Sequence, residues 1–119
     1  MNIDKKISEM LINVSGELLK HVESKQEMQA HLDLVCTAWN MTINSELKRK
    51  RELKSFLKKQ KKYAPNIEAL RGLEWEIRRI MKAKDRDYPK VNKRIVSAEA
   101  VETSKDEYVI RAFFETDTI

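Results

Sequence analysis

Cysteine, glycine and proline are all scarce in this chain of 119 residues, which has one Cys, two Gly and two Pro. Because Cys36 stands alone, no disulfide can form within the chain, which favours a reducing compartment and a cytoplasmic location. With so few glycines, a glycine-rich phosphate-binding loop is excluded. Acidic residues interrupt the apolar N-terminal stretch, so we expect neither a signal peptide nor a membrane span.

Charged residues make up 36% of the chain and hydrophobic residues 41%. The apolar residues recur with a regular period, which is typical of a folded protein rather than a disordered one. A chain of this length can bury about two thirds of its unfolded surface. We therefore expect a single domain over residues 1–119.

Apolar residues at three- and four-residue steps predict helices over most of the chain, at about residues 3–22, 25–62 and 67–85. The second of these helices contains the run TINS at residues 42–45, which consists of weak helix formers. The helix either breaks at this run or continues through it. We favour continuation, because no Gly or Pro enforces a stop.

Helix start signals support two of these boundaries. Ser24 with Glu27 three positions later is a capping-box pattern at the start of the second helix. Pro65 disfavours helix at the residue before it, and Asn66 can cap the helix that follows. Gly16 lies inside the first predicted helix, where we expect it to permit close packing.

From about residue 93 to 115 the period changes from helical to alternating, and β-branched and aromatic residues are enriched. This pattern predicts a β-hairpin with a turn near TSKDE, residues 103–107. Phe113 and Phe114 then point to opposite faces of the second strand. The expected fold class is α+β, mainly α: antiparallel long-helix hairpins, three or four helices in all, followed by a C-terminal β-hairpin.

The net charge of +5 is unevenly distributed along the chain. Residues 1–45 carry a net charge of −2, residues 46–62 of +7, residues 63–94 of +4 and residues 95–119 of −4. A basic middle therefore lies between two acidic ends.

The segment ELKRKRELKSFLKKQKK, residues 46–62, is strongly amphipathic when placed on a helix. Its apolar residues share one side, although Arg49 falls among them and Leu47 falls among the cations. Like charges lie four residues apart and repel, which is typical of a surface that meets an external anion. The alternative is an ordinary solvated helix face. The cations on this side are Lys48, Lys50, Arg51, Lys54, Lys58, Lys59, Lys61 and Lys62.

In the next helix, Trp75 points away from the apolar stripe of its own helix and has four cations around it, Arg71, Arg78, Arg79 and Lys82. An aromatic ring among cations is the arrangement on which unpaired nucleic-acid bases stack. Alternatively, Trp75 packs beneath the β-hairpin with arginine stems along its rim. We favour the second interpretation, because the hairpin needs an apolar surface to cover.

Ala30, Leu34 and Met41 form a second apolar stripe on the helix that begins at residue 25. A helix with apolar residues on two faces is either sandwiched within the fold or exposed to a partner. We expect Leu34 and Met41 to lie in a contact with a second copy or with a partner protein.

Catalytic signals are absent from the sequence. His21, His31 and Cys36 lack the spacing of metal ligands, and Cys36 has no recognisable nucleophile motif. We therefore expect no catalytic residue, no metal and no cofactor.

Two functional classes remain. The first is a non-catalytic cytoplasmic protein that binds a nucleic-acid backbone through the basic helix face, largely without sequence preference. The second is an interaction or assembly module, in which the basic face meets an acidic protein surface and the apolar stripes form a homo-oligomer. A third hypothesis is that the acidic hairpin docks on the basic helix and neutralises it.

Overall fold

A computed structural model describes residues 3–104 and 107–115 of the chain. The elements in chain order are α1 (Ile3–Ser15), α2 (Lys25–Thr42), α3 (Glu46–Gln60), α4 (Ile67–Asp87), β1 (Ile95–Ser104) and β2 (Glu107–Phe114). The predicted fold class, α+β and mainly α with a C-terminal β-hairpin, is confirmed. Within the described ranges, no helix combines the length and the apolar character that crossing a membrane requires.

The core is formed by α1, α2, α4 and the inner face of the hairpin. Helix α2 packs against both α4 and β1, and α1 packs against β2 and α4. Helix α3 makes its main contacts with α2 and α4. The structure therefore leaves α3 as a peripheral helix.

Helix α1 ends at Ser15, seven residues earlier than predicted. Gly16 follows with a φ of +62°, a left-handed conformation that glycine adopts readily and that commonly ends helices. The Ser15 hydroxyl donates to the carbonyl of Ile12 at 2.7 Å. Leu18 and Val22 still pack against the core, but from the irregular segment after α1 rather than from a helix. The apolar spacing alone therefore gave the wrong end for this helix.

The expectation of one continuous helix over residues 25–62 is wrong. Helix α2 ends at Thr42, and α3 begins at Glu46 after a short break. Ser45 caps the new helix, with its hydroxyl accepting a bond of 3.4 Å from the Lys48 amide. The Thr42 hydroxyl bonds the Trp39 carbonyl at 2.6 Å within the last turn of α2. The run of weak helix formers is enough to separate the two helices without Gly or Pro.

Both predicted helix starts are confirmed. The Ser24 hydroxyl accepts from the Glu27 amide at 3.1 Å, and the Glu27 carboxylate accepts from the Glu23 amide at 3.1 Å. The Asn66 side chain accepts from the Ala69 amide at 2.8 Å. These bonds satisfy amide groups that a helix leaves unpaired at its start.

Strands β1 and β2 pair antiparallel, with Ala100 opposite Ile110 and Val101 opposite Val109. Irregularities between Ile95 and Ser97, and between Glu102 and Ser104, each add one residue to β1. Residues 105–106 of the predicted turn lie outside the described residues.

The two faces of the hairpin differ in character. Ala100, Ile110 and Ala112 are buried against the helices, where small alanines let the sheet approach closely. Phe113 is exposed, whereas Phe114 packs against the core, so the prediction that they face opposite ways is confirmed.

Two amide side chains of α2 bind the edge of β1 that does not pair with β2. The Asn40 side chain accepts from the Ile95 amide at 2.7 Å and donates to the Ile95 carbonyl at 2.9 Å. Three turns earlier, Gln29 accepts from the Ala100 amide at 2.8 Å and donates to the Ala98 carbonyl at 3.0 Å. Because an uncovered sheet edge leaves backbone groups unpaired, these amides take the place of a third strand.

Trp39 lies at the centre of the core and is fully buried. Its indole N–H donates to the Lys93 carbonyl at 3.0 Å, and its ring lies about 6 Å from the rings of Tyr88 and Phe114. Lys84, only 2% exposed, places its ammonium 5.3 Å from the centre of the Trp39 ring and donates to the Val91 carbonyl at 2.6 Å. Burial lowers the pKa of Lys84.

Candidate functional site

Helix α3 meets the rest of the molecule through a narrow apolar side. Leu53 is its one buried residue, and Phe56 and Leu57 are partly buried against the core. The other residues of α3 are mostly polar or basic. The remaining circumference of α3 therefore faces solvent.

The cations predicted to form a basic face are all exposed. They form no ion pair with any residue in the described part of the chain, although other arginines and lysines do. The exposed, unpaired cations of α3 and the turn after it are Lys48, Lys50, Arg51, Lys54, Lys58, Lys59, Lys61 and Lys62. We call this set the α3 basic surface. It concentrates positive charge that the described fold does not neutralise.

A groove of about 560 Å³ separates α3 from α4. Its apolar residues, Leu53 and Met81, are both buried. The other lining residues are polar or aromatic: Glu46, Arg49, Lys50, Trp75, Arg78, Arg79, Lys82 and Asp85. The groove therefore brings one end of the α3 basic surface next to the aromatic and basic cluster of α4.

The interpretation that Trp75 packs beneath the hairpin is wrong. Trp75 is 63% exposed and lines the groove between α3 and α4. The hairpin packs on α1 and α2 instead, where the buried Trp39 supplies the aromatic surface that it covers. The other interpretation, an exposed indole among cations, describes the observed position.

The cations of the groove differ in how far they are already paired. Arg78 bonds the Glu74 carboxylate at 2.8 Å, and Arg79 bonds Glu76 at 2.6 Å. Lys50 and Lys82 have no such partner among the described residues. An incoming anion can therefore pair with these two lysines without displacing a carboxylate.

Arg49 closes one end of the groove. Its guanidinium bonds the Asp85 carboxylate at 2.7 Å and the Thr42 carbonyl at 2.8 Å. It thereby joins the end of α2, the start of α3 and the last turns of α4. The helical projection had placed Arg49 among apolar residues, which was the signal that this side chain faces the fold. Asp85 carried no comparable signal.

Only some of the predicted cations line the groove. Lys48 and Arg51 line a separate shallow depression on α3, together with Leu47. Arg71 is exposed near the start of α4 and does not line the groove. The remaining cations lie further along α3 and in the turn after it: Lys54, Lys58, Lys59, Lys61 and Lys62.

The fold covers the second apolar stripe of α2 only in part, because Ala30 at its start is exposed. Met41 is only 3% exposed, and Leu34 is half-buried and packs against the core. The premise that both lie on a face open to a second copy is therefore wrong for Met41. The neighbouring elements α4 and β1, which pack on α2 from two sides, account for its two apolar faces.

Within the described residues, the acidic hairpin is not placed to neutralise the α3 basic surface. It packs against α1 and α2, and no ion pair joins it to α3 within the described residues. In the same part of the chain, no group of three or more His, Cys, Asp or Glu side chains is arranged to hold a metal ion.

Comparison with protein-family models, with curated proteins and with solved structures finds no match to this chain.

Proposed function

We propose that this protein is a small, non-catalytic binding protein of the cytoplasm that associates with nucleic acid through the α3 basic surface. One observation carries the proposal: eight exposed cations follow one another along a peripheral helix and its end without an acidic partner in the described chain. A nucleic-acid backbone supplies regularly spaced negative charge along such a surface. The free thiol of Cys36 agrees with a reducing compartment.

The spacing of the cations supports an external anion. Lys50, Lys54 and Lys58 succeed one another at four-residue steps, where like charges on a helix repel by a few tenths of a kcal/mol per pair. The carboxylates Glu46 and Glu52 are the only acidic residues of this helix. Phosphates bound along α3 would relieve this repulsion and release condensed counterions, which drives association.

The proposal is tested by measuring affinity for single- and double-stranded DNA and RNA as a function of salt. Helix α3 has 15 residues and is therefore about 22 Å long. We expect it to contact about three to five phosphates, which gives a log–log slope of affinity against salt between about −2 and −4.5. The triple variant Lys54→Glu, Lys58→Glu, Lys61→Glu should abolish binding and leave the helical circular dichroism unchanged.

A matched control separates local charge from net charge. Lys20, Lys25 and Lys90 are also exposed, but they lie outside α3 and α4. Replacing these three with Glu changes the net charge by the same amount and should leave most of the affinity. Equal losses in the two triple variants, or no binding by the wild type at low salt, would refute the proposal.

The exposed face of the hairpin supports a second candidate, an assembly module. Val96 is 65% exposed, Val109 is 50% exposed and Phe113 is 42% exposed, so this face presents apolar surface to solvent. A homo-oligomer or a partner protein would cover it. Sedimentation of the wild type and of Phe113→Glu tests this function. The wild type should sediment as an oligomer or a partner complex, and Phe113→Glu should dissociate it.

A further inference from the structure

Arg79 lies beside the exposed ring of Trp75, one turn further along α4. The Arg79 guanidinium carbon is 6.0 Å from the centre of the Trp75 ring. The same guanidinium donates to the Ser15 carbonyl at 2.7 Å and to the Glu76 carboxylate at 2.6 Å. Arg79 is thus fixed by the end of α1 as well as by its own helix.

The end of α1 leaves the space that Arg79 needs. A Cβ atom on Gly16 would lie 2.7 Å from Nη1 of Arg79, which is too close for an undisturbed contact. Gly16 therefore serves two purposes, because it ends the helix and admits the guanidinium. Through this contact, the turn after α1 limits where the Arg79 guanidinium can lie.

The groove beside Trp75 has the dimensions of a small-molecule site. Its volume of about 560 Å³ falls within the range of about 300–1,000 Å³ for ligand pockets. The exposed ring of Trp75 lines the groove and offers a flat aromatic surface. Lys50 and Lys82, which have no carboxylate partner in the described chain, line the same groove. Such a site combines a surface for a base with cations for the flanking phosphates.

We infer that the protein binds single-stranded nucleic acid in preference to duplex, with one unpaired base stacked on Trp75 and the neighbouring phosphates on Lys50 and Lys82. This inference rests on the proposed function of the α3 basic surface. In a duplex the faces of the bases are covered by their neighbours, and exposing one costs a few kcal/mol. An acidic peptide fits less well, because the face of an indole ring carries partial negative charge and does not attract a carboxylate.

The inference is tested by comparing a 20-nucleotide single strand with the duplex of the same sequence, using the wild type, Trp75→Ala and Trp75→Tyr. Loss of one stacked base should lower the affinity of Trp75→Ala for the single strand about five- to 150-fold. Its affinity for the duplex should change less than about twofold, and Trp75→Tyr should retain most single-strand binding because it keeps an aromatic ring. Trp75 is exposed, so we expect all three proteins to fold alike.

Fluorescence supplies an independent measurement. Trp39 is fully buried, so the emission that acrylamide quenches in the wild type belongs to Trp75. Adding the single strand should protect this emission, whereas an equal occupancy of duplex should leave it quenchable.

Two negative results differ in meaning. If single strand and duplex bind equally, and Trp75→Ala binds as the wild type does, the single-strand inference is overturned while the α3 basic surface stands. If neither nucleic acid binds at low salt, the proposed function fails and the inference with it. Binding of poly-glutamate in that case would assign the basic surface to an acidic protein partner.

Discussion

Removing the Asn40 amide should loosen the start of β1 on α2, although the bond from Trp39 to the Lys93 carbonyl remains. In Asn40→Ala, both the N–H and the carbonyl of Ile95 lose their partners, which lie at 2.7 and 2.9 Å in the wild type. Ile95 is buried, so water does not freely replace these bonds. Each unsatisfied buried group costs about 1–3 kcal/mol.

The expected loss of unfolding free energy follows from these two groups. Because Asn40 itself is half-buried, some water can enter the vacated space, and we expect a loss of about 2–4 kcal/mol. The better helix propensity of alanine offsets roughly 0.5 kcal/mol of this loss. For 119 residues the unfolding entropy is about 250 cal/mol/K, so 1 kcal/mol corresponds to about 4 °C in Tm. The Tm should therefore fall by about 6–14 °C.

Thermal and urea unfolding, followed by circular dichroism, measure this loss. Gln26→Ala is the control, because Gln26 is an exposed amide on the same helix. Amide hydrogen exchange adds a local readout, since Asn40→Ala should speed exchange at Ile95 more than within α4. If Asn40→Ala unfolds within about 0.5 kcal/mol of Gln26→Ala, and exchange at Ile95 is unchanged, then the amide bonds do not anchor the hairpin.

Two further predictions concern buried titratable groups. Burial lowers the pKa of Lys84 in the folded protein. At alkaline pH below about 10.4, the unfolded chain therefore holds more protons than the folded one. The contribution of Lys84 to the free energy of unfolding rises with pH in this range. Lys84→Met should remove this rise with pH, and Lys82→Met should leave it. Urea unfolding at pH 7, 9 and 10 measures it; the same dependence of unfolding free energy on pH in wild type and Lys84→Met would contradict the argument. Burial, with Asp33 nearby, raises the pKa of the Cys36 thiol to about 12. Iodoacetamide should therefore modify Cys36 far more slowly than a free thiol until urea unfolds the protein, and modification at the free-thiol rate in native buffer would count against this.

Local signals predicted much of the fold. The apolar spacing located the helices, and the capping residues Ser24 and Asn66 were confirmed by their hydrogen bonds. The alternation of residues in the second strand correctly placed Phe113 and Phe114 on opposite faces. These features depend on interactions within a few residues, which a sequence displays directly.

The failures arose where distant elements decide the outcome. A helical projection shows that Trp75 points away from its own stripe, but not whether another element covers it. The second stripe of α2 had the same ambiguity, and Met41 proved to be enclosed by its neighbours. Gly16 allows the close packing that its position predicts, but it also ends α1, which the continuing apolar period concealed.

The candidate site was predictable in its charge and not in its shape. The exposure of the lysines follows from the amphipathic pattern around Leu53. The groove depends on the angle between α3 and α4, which Arg49 and Asp85 help to set across 36 positions of sequence. Arg49 was noticed as out of place, but its partner could not be named before the two helices were seen together.

The amides of Gln29 and Asn40 also limit how this protein can self-associate. Since they occupy the β1 edge between Ile95 and Ala100, a further strand can add to the sheet along β2 but not along that stretch of β1. Fibril growth requires two free edges on every subunit, one to receive the next chain and one to extend. In a dimer joined through the two β2 strands, each β2 edge is paired and each β1 edge is covered between Ile95 and Ala100. Growth through this sheet therefore stops at two molecules.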